Sequence, residues 1–175
     1  MTKLMTLGGR EPASEPLHYT ACGLDDVYLV NGFTREQIDG EDAVTIEDMD
    51  GLWKAIGLAL VSERKTLAPR EVRFLRQHMD LTQAELGAKL RVSDQTVARW
   101  EKGETPLAGP ADLMLRVRFL ASKCAQPQGV KVLERMTKIL DELSERDEPA
   151  RTVPIRLHHT KKWEPEIARR EPEYA

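Results

Sequence analysis

The chain is poor in aromatic residues and cysteine, and it has no long apolar run. Aromatics make up 5% of its 175 residues, so any core must be chiefly aliphatic. Its most apolar stretch, LWKAIGLALV (52–61), holds a lysine and is too short to span a bilayer. The opening residues, MTKLMTLGGREPASEP, lack the apolar core of a secretion signal, which points to a cytoplasmic protein. The two cysteines, Cys22 and Cys124, lie far apart, and nothing else suggests an oxidising compartment, so both are read as reduced thiols. No Gly-rich phosphate loop, nucleophile motif or metal-ligand cluster is present, which argues against an enzyme and against any cofactor. Tetrahedral zinc takes four ligands. His18 and Cys22 supply two, and His158-His159 sit far along the chain, so no metal site is expected.

The formal net charge of −3 hides a strong asymmetry. Residues 1–50 hold three Lys/Arg against eleven Asp/Glu, a balance of −8, whereas residues 69–123 hold ten against seven, a balance of +3. An acidic front beside a mildly basic middle is compatible with nucleic-acid binding confined to the middle. A balance of only +3 argues against indiscriminate coating of DNA, which needs many phosphate contacts.

Length allows one medium domain or two small ones. Residues 1–16, with two prolines and a glycine pair, read as a disordered arm. Residues 17–65 read as a small α+β unit. There, Val27-Tyr28-Leu29-Val30 ends in Asn31-Gly32, a strand-then-turn signature, and AVTIED (43–48) reads as a second strand. Asp48 or Asp50 then caps a helix over about 51–64, whose stripe is Leu52, Ile56, Ala59 and Leu60. The expected arrangement is ββα.

Residues 66–124 read as four short helices. Pro69 suits a first helical position, and Val72, Leu75 and Met79 form the core stripe that follows. Thr82-Gln83-Ala84-Glu85 has the form of a capping box, and Ser93 suits the cap of the next helix. Gly109-Pro110 opens a last helix with Leu113, Val117 and Leu120 apolar. Beyond it, VKVLERMTKILDEL predicts an amphipathic helix within 125–146. The tail, 147–175, is rich in charge and reads as partly disordered, but Val153, Ile155 and Leu157 alternate like one short docking strand. The fold class is therefore mainly α with a small β-containing N-terminal unit.

The segment LTQAELGAKLRVSDQTVARWEKG (81–103) is the most specific signal. Leu86, Leu90, Val92, Val97 and Trp100 share a packed face, and Gly87 sits where the two helices must approach closely. Asp94, Gln95, Thr96 and Arg99 are left on an outward face that a DNA major groove accepts. Gln95 suits a bidentate pair with adenine and Arg99 one with guanine, while Asp94 suits a cytosine amine. Helix capping alone also explains Asp94. The spacing of Trp100 from Val97 places it in the core rather than on bases, and Glu101 is read as structural because phosphate repels a carboxylate. Lys102 and Arg73 are candidate phosphate contacts.

This segment resembles the helix-turn-helix of the Cro/phage-repressor (XRE) family. The resemblance implies a DNA-binding regulator, a repressor acting on double-stranded DNA as a homodimer, and it adds Gln83 as a DNA contact. The turn departs from the usual pattern, with Arg91 where glycine is expected because φ is positive there. Over 69–120 the chain also looks like MqsA-type antitoxins, whose N-terminal half binds a toxin or zinc. The paired Cys-x-x-Cys motifs of those proteins are missing here. A second reading is therefore an antitoxin whose acidic N-terminal unit binds a protein partner.

Overall fold

The computed structural model describes residues 15–38, 41–123, 138 and 154–166. In chain order the elements are β1 (Leu17–His18), β2 (Val27–Leu29), β3 (Phe33–Ile38), β4 (Glu41–Ile46) and α1 (Met49–Glu63). They are followed by α2 (Pro69–Gln77), α3 (Gln83–Leu90), α4 (Asp94–Lys102), α5 (Gly109–Lys123), β5 (Ile155–His159) and β6 (Trp163–Pro165). Most of the expected N-terminal arm, Cys124, all of the 125–146 helix apart from Lys138, and the end of the tail lie outside the described residues.

The strands do not pair as the ββα reading expects. β2 lies in a four-stranded sheet of order β1-β2-β5-β6, and β4 pairs with β3 in a separate hairpin. The docking strand expected around Ile155 and Leu157 is β5, which runs parallel to β2 with Val27 opposite Ile155 and Leu29 opposite Leu157. Those four side chains are buried, while Arg156 between them is exposed, the period-2 pattern of a sheet with one covered face. Asn31 fastens the strand end through its side chain. Its Nδ2 donates to His159 O at 3.0 Å, and its Oδ1 accepts from His159 N at 2.5 Å. The Trp163 indole donates to Glu47 O at 2.8 Å and Asp48 O at 3.1 Å, tying the tail to the start of α1.

Of the two candidate caps for α1, Asp48 serves: its Oδ1 accepts from Gly51 N at 3.1 Å. The helix buries Leu52, Ile56, Ala59 and Leu60 as expected, and also Ala55, Gly57 and Val61. Apolar on several sides, it is the central rod of the fold, with the sheet against it and α5 and α2 against the rest.

A single apolar cluster runs from Val27 and Leu29 in the sheet through α1 to Leu86, Val97 and Trp100. Two arginines are buried among the described residues. Arg64, at the end of α1, is 1% exposed and meets Asp26 and, at 3.0 Å, Glu71 Oε1 of α2. Arg116 of α5 is 2% exposed. It donates from Nε to Asp112 Oδ2 at 2.8 Å and from Nη1 to Val61 O at 2.9 Å. Buried guanidinium groups are tolerated because Arg64 has two carboxylates beside it and Arg116 has a carboxylate and a carbonyl.

Of the two expected core stripes, that of α2 holds, with Phe74 added, and that of α5 is rotated. In α2 the buried apolar residues are Val72, Phe74 and Leu75, with Met79 half-buried beyond the helix end. In α5 Leu115, Phe119 and Leu120 are buried, whereas Leu113 and Val117 are half-buried. The packing of Phe119 on Gly57 of α1 sets that rotation.

Candidate nucleic-acid interface

The pair α3 and α4 is built by short-range rules. Thr82 Oγ1 accepts from Glu85 N at 3.1 Å, and Glu85 Oε2 accepts from Thr82 N at 2.7 Å, closing the capping box. These bonds favour the ionised Glu85 carboxylate and hold its pKa below the usual value. Ser93 Oγ accepts from Thr96 N at 3.1 Å and starts α4. A β-carbon added at Gly87 would stand 2.8 Å from Val92 O and 3.2 Å from the Ser93 carbonyl carbon. Glycine is therefore required there by close approach, as the sequence implies. Leu86, Val97 and Trp100 are buried between the helices, and Leu90 and Val92 are half-buried at the margin. Trp100 is a core residue.

Glu101 is the hub beneath this pair. Its side chain is 5% exposed. It accepts Arg76 Nε at 2.5 Å, Arg76 Nη2 at 3.1 Å and Gln83 Nε2 at 2.9 Å. Arg76 Nη1 also donates to Leu81 O at 2.7 Å. One carboxylate thus joins α2, the start of α3 and the last turn of α4. The structural role read for Glu101 is borne out, but neither of its partners was foreseen. The i, i+25 and i, i+18 separations leave no local pattern to find.

On the outer surface Asp94, Gln95, Arg99 and Lys102 are exposed. Arg99 has no side-chain partner among the described residues, and Lys102 makes only a loose 3.9 Å contact with Glu104. Asp94 Oδ1 accepts from Gln95 N at 2.8 Å, the bond that its capping reading implies. Thr96 is half-buried, and its hydroxyl lies 2.9 Å from Ser93 Oγ within the cap. Gln83 is half-buried, with Nε2 committed to Glu101 and Oε1 left over. Arg73 of α2 is exposed. The structure thus brings Asp94, Gln95, Arg99 and Lys102 onto one helix surface, with Gln83 bound to the last turn of the same helix.

With this geometry in view, residues 72–111 match the helix-turn-helix family model. This segment is an XRE-type helix-turn-helix. The match covers α3 and α4 whole, most of α2 and the first turn of α5. A helix-turn-helix is a DNA-binding module of transcription regulators, with its second helix placed in the major groove. No curated protein and no solved structure matches the chain. Among the described residues, no helix is long and apolar enough to cross a membrane, and no group of three or more His, Cys, Asp or Glu stands together as metal ligands.

Proposed function

We propose that the protein is a sequence-specific transcriptional repressor that binds operator DNA as a homodimer and controls its own promoter. Each helix-turn-helix reads one half-site, and two half-sites lie about 34 Å apart, one turn of the duplex. In this reading Gln95 pairs with adenine and Arg99 with guanine, each good bidentate pair contributing about 1–3 kcal/mol of discrimination. Asp94 accepts from a cytosine amine, Thr96 supports the first turn, and Gln83 and Lys102 position the backbone. The observation that carries the reading is Arg99, an exposed arginine on α4 without a side-chain partner among the described residues. The test is fluorescence anisotropy of the protein with DNA from its own upstream region and with scrambled DNA. The expected result is a preference for the upstream DNA that falls about tenfold or more in Arg99→Ala and Gln95→Ala. No preference in the wild type overturns self-regulation, and an unchanged preference in both variants removes these residues from the interface.

An antitoxin role is the second reading. Glu36, Asp42, Asp48 and Asp50 are exposed in the same stretch of chain as Val44 and Met49, which are 43% and 38% exposed. An acidic surface with apolar residues in it suits a basic protein partner, since complementary charge steers association. Here the expected result is binding of a basic toxin that is lost on reversing the charges of Asp42 and Asp50.

A further inference from the structure

We propose that Arg91 is a phosphate-binding residue that grips the backbone of duplex DNA beside the groove entered by α4. The inference rests on the DNA-reading function above. It starts from a backbone anomaly: Arg91 has φ 59° and ψ 41°, the left-handed conformation in which a β-carbon is disfavoured. The turn around it is a complete helix stop. Val92 N donates to Gly87 O at 2.9 Å and Arg91 N donates to Ala88 O at 3.4 Å, the two bonds of a Schellman motif. Its left-handed position is the one glycine normally fills.

The next carbonyl, Lys89 O, is taken at 3.1 Å by Nη2 of Arg118 from α5. This guanidinium fastens the turn and brings a second positive charge beside Arg91. Lys89 is exposed and supplies a third. The Arg91 side chain is exposed and has no partner among the described residues, so no internal contact accounts for an arginine in this strained place. The nearest acid after the turn, Asp94, turns Oδ1 to the Gln95 N–H of its own helix. The turn leads directly into Ser93 and the first residues of α4, and the phosphates that flank a major groove lie beside a helix entering it. A cationic turn at that place has the right chemistry for a phosphodiester.

The test compares Arg91→Gly, Arg91→Gln and Arg91→Lys, on the full chain, by thermal unfolding and by the salt dependence of DNA binding. The probes are a duplex from the protein's own upstream region and a random-sequence duplex. Arg91→Gly is expected to weaken binding to both duplexes and to make the slope of log K against log salt shallower by about 0.9 for each protomer bound, or about 1.8 for the dimer. It should also melt about 2–4 °C higher, because glycine relieves the backbone. Arg91→Gln should show the same loss of slope without the rise in melting temperature, and Arg91→Lys should keep the wild-type slope. Unchanged affinity and slope in both Arg91→Gly and Arg91→Gln would overturn the proposal. Equal wild-type affinity for the two duplexes would remove self-regulation only, since the slope remains readable on the random duplex. Absence of wild-type binding to either duplex at low salt would overturn both readings.

Discussion

Glu101→Ala is expected to destabilise the protein by about 3 kcal/mol, because it strips the counter-charge from a buried arginine. The side chains of Glu101 and Arg76 are 5% and 11% exposed, so little water can replace the lost carboxylate. Arg76 would keep only its 2.7 Å bond from Nη1 to Leu81 O, and Gln83 Nε2 would lose its 2.9 Å acceptor. Breaking one side of a buried pair costs about 3–5 kcal/mol, and the residual access of water to Arg76 places this case at the lower end. Replacing both partners, Arg76→Met with Glu101→Leu, removes the stranded charge and should cost only about 1 kcal/mol, for the unpaired Leu81 carbonyl and the half-buried Gln83 amide. Urea unfolding measures both differences, provided the m-value is unchanged. A loss below about 1 kcal/mol in Glu101→Ala would refute the reasoning. So would a double variant as unstable as the single one.

Two further outcomes follow from the packing. Gly57→Ala should cost about 1–3 kcal/mol and lower the melting temperature, because its β-carbon would overlap the Phe119 ring and force α1 from α5. His78 stacks on Trp53 with ring centroids 4.5 Å apart, and burial, aided by Lys123 and opposed by Asp80, pushes its pKa below the ordinary 6.5. A histidine with a depressed folded pKa binds fewer protons folded than unfolded, so its contribution is present above 6.5 and is lost as pH falls below it. The NMR titration of its ring should therefore have a midpoint under 6.5, and His78→Phe should soften the loss of stability on acidification.

The parts of this fold that were legible in the sequence are those set by neighbours a few residues apart. Thr82 and Glu85 cap one another across three positions, Ser93 caps the next helix, and Gly87 marks a contact made within the turn it precedes. The spacing of Leu86, Val97 and Trp100 was enough to separate the core face from the outward Gln95 and Arg99. The sheet was not legible in the same way. β5 was visible as an alternation, but its place beside β2 depends on contacts such as Asn31 with His159, across more than a hundred residues. Three residues of β2 carry too little pattern to reveal which strand they pair with. The buried arginines were hidden for another reason. Arg64 and Arg116 look like surface charge in any hydropathy reading, and only Asp26, Glu71, Asp112 and the Val61 carbonyl make their burial tolerable. Gln83 was read correctly as belonging to the start of α3, but its bond to Glu101 appears only when α3 and α4 are folded together.

The most direct test of the account is selection of bound sequences from a random duplex library with wild-type protein and with Arg99→Ala. The wild type should enrich two half-sites one helical turn apart, and Arg99→Ala should lose preference at a guanine in each half-site while keeping the spacing. Failure of the wild type to enrich any motif, or an identical motif from Arg99→Ala, would contradict it.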